Sequence, residues 1–239
     1  MSSTHLEAQT PNRTGSGFVS FYREKGIAVN FFVDDENDEI QRQNAKGRFY
    51  EVDELERILA SVGKGARILD IGANIGNHML FFAVVMQAAI VIPIEPTPRG
   101  TRHLRENAEL NFLKNVDLSF LGQAFGAGPG RGRLIEPEGN LGGSRIRNEG
   151  EGEIAIIDAD TALADQEFDF VKIDVEGFEI EVLKGMSKLL TRCKTQMYVE
   201  VNEYNESRFH EWLKNTSYKV QWTHKRYRSN KNYFLRCED

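Results

Sequence analysis

Cysteine is scarce in this chain, and the features that mark membrane and secreted proteins are missing. Cys193 and Cys237 are the two cysteines among 239 residues. Two cysteines cannot build a disulfide framework, and their surroundings offer no metal-ligand spacing, so we expect reduced thiols in a cytoplasmic protein. No apolar run approaches the roughly 20 residues that cross a bilayer. The first 17 residues lack the basic start and apolar centre of a secretory signal, and we expect a flexible polar tail.

An excess of positive charge is also missing. The net charge is −6 at pH 7, and this acidic balance disfavours a dedicated nucleic-acid surface. A short basic cluster stands at 224–228, with Lys231 close behind. Clusters this short are typical of solvated loops, although an anionic substrate could also use one. With 40% hydrophobic and 28% charged residues, the composition is that of a soluble globular protein.

The chain shows no internal repeat and no low-complexity linker. We predict one α/β domain at 51–239, preceded at 1–50 by a tail and a strand or lid extension. Apolar strand patterns alternate with helical patterns after residue 65, which predicts a doubly wound, mostly parallel, seven-stranded sheet with an antiparallel edge strand. The expected strands of this sheet are 67–71, 89–94, 116–121, 168–174, 196–201, 219–223 and 233–236. The expected helices are 52–62, 75–87, 97–111, 179–190 and 207–213; a separate strand is expected at 27–33, and hairpins or a mobile loop in the glycine-rich segment 125–153.

The stretch Asp70-Ile71-Gly72-Ala73-Asn74-Ile75-Gly76 ends a predicted strand and opens a predicted helix. Glycines in such a turn let backbone amides approach a ligand, and ligands of open α/β sheets bind at the carboxyl ends of the strands. Glu95 ends the next strand, where a carboxylate can accept hydrogen bonds from both ribose hydroxyls of an adenosine. Together these features predict a nucleoside cofactor.

The residues of this turn favour S-adenosylmethionine over a dinucleotide. The dinucleotide motif G-x-G-x-x-G needs its second glycine for close approach of a pyrophosphate, and that position is Asn74 here. Asp70 adds an anion where a cationic amino acid group would lie. S-adenosylmethionine carries a sulfonium and an ammonium but no phosphate, so it fits better. A plain tight turn with a solvated acid is the simpler alternative.

A second charged segment, 171–179, covers the end of the predicted strand 168–174 and the turn after it. Charged side chains at the end of a buried strand are costly unless they are paired or hydrogen-bonded. Lys172 and Asp174 share one face of this strand, and Glu176 follows at the turn, where a substrate oxygen would face the cofactor. A charge-paired structural turn would explain the same residues.

Metal binding is an alternative use of these acids. Asp174 and Glu176, together with Glu200 at the end of the next predicted strand, offer the hard oxygen ligands that Mg²⁺ or Ca²⁺ prefers. No His-rich spacing supports zinc. We expect no metal, and activity that survives a chelator would exclude one.

Four segments together resemble the FkbM family of methyltransferases: 70–76, Ile94-Glu95-Pro96, Lys172-Ile-Asp-Val-Glu-Gly-Phe-Glu179 and 182–185. The resemblance spans roughly residues 47–203. It implies a class I, Rossmann-like, S-adenosylmethionine-dependent fold and, usually, O-methylation of sugars or natural-product hydroxyls. By position, it implies that the amino acid end of the cofactor is held by Asp70, Gly72, Asn74 and Gly76, its ribose by Glu95, and its adenine by Gln123 and Ala124. Family members often carry an aromatic residue directly after Gly76, where this chain has Asn77 and His78.

We therefore predict an O-methyltransferase that acts on a hydroxyl of a small molecule (a sugar, glycan or natural product). Asp174 and Glu176 are the leading candidates for the base that removes the hydroxyl proton, and Lys172 would orient them or the substrate. His78 has a suitable unperturbed pKa, although a lone histidine in an apolar helix is more often a packed residue. Three alternatives remain. An NAD-dependent oxidoreductase is disfavoured because the sequence has no recognisable hydride-transfer constellation, and an N-methyltransferase because it has no Asn-Pro-Pro-Tyr clamp. A cofactor-binding partner protein without catalysis stays open.

Overall fold

A computed structural model of the chain describes residues 13–14, 17–24, 26–135, 145–148 and 150–238. Residues 1–12 of the predicted tail and 136–144 of the glycine-rich segment lie outside the described residues. The strands are β1 (Arg13–Thr14), β2 (Gly17–Glu24), β3 (Ile27–Val33), β4 (Arg67–Ile71), β5 (Ile90–Ile94), β6 (Gln123–Phe125), β7 (Gly130–Ile135), β8 (Arg145–Asn148), β9 (Ile154–Ile157), β10 (Phe170–Ile173), β11 (Gln196–Asn202), β12 (Tyr218–His224) and β13 (Asn230–Cys237). The helices are α1 (Glu39–Asn44), α2 (Val52–Val62), α3 (Asn77–Leu80), α4 (Pro98–Leu110), α5 (Ala159–Ala162), α6 (Glu179–Gly185), α7 (Ser187–Cys193) and α8 (Glu206–Lys214).

The central sheet has the strand order β12-β13-β11-β10-β4-β5. β11, β10, β4 and β5 run parallel, and β13 is antiparallel to both of its neighbours. The predicted parallel sheet with an antiparallel edge is therefore present, but it has six strands instead of seven. The expected strand at 116–121 makes only isolated bridges, Val91–Val116 and Glu95–Leu121. The chain turns between them, because the Asp117 carboxylate accepts a hydrogen bond from Ser119 N.

Both faces of the central sheet are covered, as a doubly wound fold requires. Leu69 and Val171 belong to one hydrophobic cluster, which includes residues of α6, α7 and α8. Ile68 and Phe170, their neighbours along β4 and β10, belong to the other cluster, with residues of α2, α3 and β3. The continuous apolar runs of these strands follow from burial on both sides. Their carboxyl ends therefore form one rigid edge.

Two predicted helices differ in detail from the observed ones. The helix expected at 75–87 is α3 followed by a π-helical turn at Phe81–Val85. The helix expected at 179–190 is divided between α6 and α7 at Met186. No helix of the described residues is long and apolar enough to cross a membrane.

Two smaller sheets flank the carboxyl edge. β1, β2 and β3 form an antiparallel sheet, and α1 and the start of α2 follow it. The glycine-rich segment contributes β7 and β8 to a second sheet with the order β6-β9-β7-β8, so its described part forms strands, which pair with each other in antiparallel fashion. These additions give the carboxyl edge its side walls.

Candidate active site

The turn after β4 is held in place by both neighbouring strands. Gly72 has φ +76°, and a Cβ there would lie 1.7 Å from the backbone oxygen of Asp174, so only glycine fits. Gly72 N and Ala73 N both donate to Ile94 O at 2.9 and 3.1 Å. Asn74 also has a positive φ of 49°. The turn therefore has a fixed shape at the carboxyl edge.

Glu95 fixes the turn from the side of β5. Its side chain accepts a hydrogen bond from Asn74 N at 2.8 Å through Oε2. Oε1 accepts from Thr97 N at 2.8 Å and from Thr97 Oγ1 at 2.6 Å. Burial raises the pKa of Glu95, while these hydrogen bonds oppose the rise. A buried carboxylate with unused acceptor capacity thus stands beside the turn.

Lys172 is buried beneath the turn and joins three groups. Its Nζ donates to Gly72 O at 2.6 Å and lies 3.3 Å from Asp70 Oδ1 and 3.5 Å from Asp174 Oδ2. Burial lowers the pKa of Lys172, but the carboxylates of Asp70 and Asp174 outweigh burial and hold the pKa above its ordinary value. Lys172 stays protonated and holds Asp174, whereas Asp70 is completely buried beside it.

Two adjoining cavities open on this edge. The first runs from Glu95 and Thr97 to Ala124, Phe125 and Phe178. The second has a volume of about 470 Å³ and is bounded by α1, by 50–51, by α3 and by the β12–β13 turn. Four residues line both cavities and so mark their junction: Gly72, Asn74, Asp174 and Glu176.

The structure brings most of the predicted site residues to these cavities. Glu95 and Ala124 line the first cavity; Lys172 and His78 line the second. Three predicted cofactor residues line neither: Asp70, Gly76 and Gln123. Gln123 lies with Ala124 in β6, and Asp70 points into the sheet toward Lys172.

Three carboxylates meet at the side of the second cavity. Asp174, Glu176 and Glu200 each offer an oxygen, and these oxygens lie within 4.8 Å of one another. Glu200 accepts a hydrogen bond from Asn230 Nδ2 at 2.6 Å. Burial, with Asp174 and Glu176 adding to it, raises the pKa of Glu200 to about 10. A neutral Glu200 relieves the repulsion within the cluster at neutral pH.

Glu51 is a cavity residue that the sequence did not single out. Its side chain is 12% exposed, and Oε2 lies 3.6 Å from His78 Nε2. Burial raises the pKa of Glu51 to about 7, and Asp174 adds to the effect. Burial lowers the pKa of His78, so its ring is neutral. Glu51 directly precedes α2, two further acids, Asp53 and Glu54, lie in the first turn of this helix, and no sequence pattern separates Glu51 from them.

The basic cluster at 224–228 connects the β12–β13 turn to α2. Arg226 Nη2 lies 2.7 Å from Glu54 Oε2, and His224 Nε2 lies 3.0 Å from Glu54 Oε1. Tyr227 lines the second cavity, where its hydroxyl hydrogen-bonds to that of Tyr50. Part of the cluster is therefore an anchor for this wall of the cavity.

Comparison with solved structures defines the class. Trm5b from Pyrococcus abyssi aligns with a TM-score of 0.51 and 15% identity, over 91% of this chain and 55% of its own. The tRNA methyltransferase TrmK of B. subtilis aligns with a TM-score of 0.50 and 14% identity, over 77% and 65%. The chain spans about half the length of Trm5b. At these identities the likeness shows the fold alone, which is that of the class I methyltransferases.

The family follows from the sequence itself. The family described as "Methyltransferase FkbM domain" matches residues 70–228, and the chain belongs to it. This membership confirms the predicted resemblance to the FkbM methyltransferases and S-adenosylmethionine as the cofactor. The hexuronic acid methyltransferase AglP of Haloferax volcanii is 27% identical over 171 residues, which are 69% of this chain and 67% of AglP.

Proposed function

We propose that the chain transfers the methyl group of S-adenosylmethionine to a hydroxyl of a small saccharide or saccharide-like molecule. The observation that carries the proposal is the position of Asp174 at the junction of the two cavities. A donor in the first cavity and an acceptor in the second would meet beside its carboxylate. Methyl transfer is an in-line displacement, so bringing the two partners into line is the main task of the protein.

The first cavity is lined by groups that suit the adenosine half of the cofactor. Glu95 lines it with a carboxylate that can accept a hydrogen bond from a ribose hydroxyl, and Ala124 with Phe125 offers an apolar wall for a purine. The turn at Gly72, where a Cβ would collide with Asp174 O, lets a ligand approach the backbone closely. When bound, S-adenosylmethionine supplies an electrophilic methyl group on its sulfonium.

Asp174 is our choice for the base. A neutral hydroxyl loses its proton as the new carbon–oxygen bond forms, and a well-placed carboxylate accelerates such a step by about 10²–10⁴-fold. Lys172 Nζ, 3.5 Å away, holds Asp174 toward the junction. Lys172 itself stays protonated and so orients Asp174 without accepting the proton. Glu176 lines both cavities and is the second candidate.

The second cavity fits an acceptor of about one sugar unit. Its volume of about 470 Å³ lies within the range of roughly 300–1,000 Å³ that small-molecule sites occupy. Its walls carry many hydrogen-bonding groups, among them Tyr50, Asn202, Ser229 and Asn230. The relative AglP is a hexuronic acid methyltransferase by name, which supports a saccharide acceptor.

The test is methyl transfer from a deuterated cofactor to a panel of neutral sugars, uronic acids and amino sugars, read by mass spectrometry. We expect a labelled ether on a ring hydroxyl for at least one acceptor. Asp174→Asn should bind the cofactor like the wild type and lose about 10²-fold or more in turnover. Asp165→Asn, at an exposed carboxylate, is the matched control and should be fully active.

Three results would contradict this proposal. Cofactor binding without turnover of any hydroxylated acceptor would favour a non-catalytic partner protein. A labelled methyl group on a nitrogen or on a carboxylate would mean that the acceptor is an amine or a carboxylate and not a hydroxyl. Near wild-type turnover by Asp174→Asn would move the base to another residue, with Glu176→Gln as the next variant.

A further inference from the structure

The backbone just before α2 is tied to the cofactor turn by one side chain. Asn77, the residue after Gly76, accepts a hydrogen bond from Tyr50 N at 2.9 Å through Oδ1. Its Nδ2 donates to Tyr50 O at 3.0 Å. Both polar groups of the Tyr50 backbone are thus held by the first residue of α3. This pair of hydrogen bonds fixes the position of the next residue, Glu51, relative to the turn.

The conformation of Glu51 directs its side chain into the second cavity. Glu51 has φ 58°, in the left-handed region, which is unfavourable for a residue other than glycine. Strain of this kind persists where the surroundings impose it, and it is concentrated at ligand sites. Here the clamp by Asn77 precedes Glu51 and α2 follows it. The carboxylate lines the cavity together with Gly72, the first glycine of the turn.

Asp70, by contrast, cannot reach a ligand in either cavity. Its side chain is completely buried, it pairs with Lys172 at 3.3 Å, and it lines neither cavity. Sequence position alone assigned the cationic end of the cofactor to Asp70. Glu51 is the carboxylate that the fold presents on the open side of the same turn.

We propose that Glu51 binds the α-ammonium group of the methionine part of S-adenosylmethionine. This inference rests on the cofactor placement proposed above, with the adenosine half in the first cavity. From there the methionine part passes the junction at Gly72 and enters the second cavity beside Glu51. His78 Nε2, 3.6 Å from Glu51 Oε2 and without a hydrogen bond among the described residues, belongs to the same wall.

The charges around Glu51 favour a cation there. Six acidic residues line the second cavity: Asp38, Glu39, Glu51, Asp174, Glu176 and Glu200. Lys172 also lines it, but its Nζ is already paired with Asp70 and Asp174. Arg226 lies 3.7 Å from Glu51 Oε1, on the side of α2, which leaves Oε2 directed toward His78 and the cavity. An ammonium at Oε2 would relieve the repulsion between Glu51 and the nearby carboxylate of Asp174.

The test is calorimetric binding of three ligands to wild type and to Glu51→Gln. S-adenosylmethionine and its decarboxylated form both carry the ammonium, and 5′-deoxy-5′-methylthioadenosine lacks the whole amino acid part. Glu51→Gln should weaken binding of the first two by about tenfold or more, as expected for a hydrogen bond between charged groups. Binding of methylthioadenosine should be unchanged. Glu56→Gln, at an exposed glutamate of α2, is the matched control and should bind all three like the wild type.

The outcomes separate this inference from the cofactor placement. Unchanged affinity of Glu51→Gln for S-adenosylmethionine would overturn the role of Glu51, and so would an equal loss for methylthioadenosine, which would mean that Glu51 only shapes the pocket. Wild type that fails to bind methylthioadenosine would overturn the placement and the inference together. Glu51→Asp keeps the charge but is shorter, and an intermediate affinity for S-adenosylmethionine would support a direct contact. None of these readouts needs an acceptor.

Discussion

Among single residues, Glu95 combines a structural role with a proposed role in cofactor binding. It holds the turn through Asn74 N and the start of α4 through Thr97, and in the proposed site it would also receive the ribose. A carboxylate has about four acceptor positions, and the hydrogen bonds from Asn74 and Thr97 leave the remaining one, on Oε2, for a ribose hydroxyl. Gly100 leaves room for it, since a Cβ there would lie 2.5 Å from Glu95 Cγ.

Glu95→Ala should weaken S-adenosylmethionine binding by roughly tenfold to a hundredfold. The reason is the loss of hydrogen bonds to a charged acceptor, worth about 1.5–3 kcal/mol. Thr97→Val is the control, because it removes the Oγ1 hydrogen bond to Glu95 but leaves the carboxylate for the ribose. If calorimetry gives both variants the same affinity for S-adenosylmethionine, Glu95 does not bind the ribose.

The contrast between Asp70 and Glu51 shows what sequence reasoning can and cannot reach at this scale. A carboxylate before a glycine turn predicts an anion at the end of a strand, and Asp70 is there. Its partner is Lys172, which is 102 positions further on and adjacent only through the pairing of β4 with β10. Glu51 reaches the site through the hydrogen bonds of Asn77 to Tyr50, and no local pattern encodes them.

At the scale of elements, apolar periodicity predicts where helices occur but not how they are interrupted. The helix at 52–62 is observed with the expected bounds. The one expected at 179–190 is interrupted at Met186, directly after Gly185, where a Cβ would lie 1.8 Å from Gly126 O. The glycine is there because the end of β6 packs directly on the helix backbone. That contact joins residues far apart in the sequence, so periodicity could not show it.

Gly185→Ala should therefore destabilise the protein, although alanine is favoured over glycine in helices by about 1 kcal/mol. Overpacking of this kind typically costs about 1–3 kcal/mol, and backbone atoms of Gly126 cannot move aside as a side chain would. Urea unfolding measures the change. Gly128→Ala, where nothing lies within 4 Å of the new Cβ, is the control and should be nearly neutral. Equal midpoints for both variants would contradict the packing argument.

At the scale of the whole molecule, the alternation of strands and helices was enough to predict the fold class. The runs at 67–71 and 90–94 are apolar because both faces of the sheet are covered, and such runs are visible in any sequence. The prediction of a seventh strand at 116–121 was wrong, because Asp117 accepts a hydrogen bond from Ser119 N in a turn inside this otherwise strand-like stretch. The second cavity could not be predicted, since its walls come from α1, α3, β11 and the β12–β13 turn.

The acidic cluster leads to a prediction for the complete enzyme. With the pKa of Glu200 raised to about 10, this residue is protonated at neutral pH. Lys172, 3.5 Å from Asp174, already supplies a positive charge beside the cluster. We therefore expect methyl transfer to continue at an unchanged rate after treatment with a chelator and removal of free divalent ions. Loss of turnover that Mg²⁺ restores would instead make Asp174, Glu176 and Glu200 a metal site.

The hydrogen bond between Tyr50 and Tyr227 has a consequence for how such an enzyme can change its acceptor. One wall of the second cavity precedes the family's matched range, at Asp38–Tyr50, and the wall joined to it is the short turn Tyr227–Asn230. The parallel strands and the glycine turn proposed to bind the donor lie between them in the sequence. Exchanging these two peripheral segments as a pair, with Glu51 kept, should transplant acceptor preference between family members while leaving the proposed donor half intact.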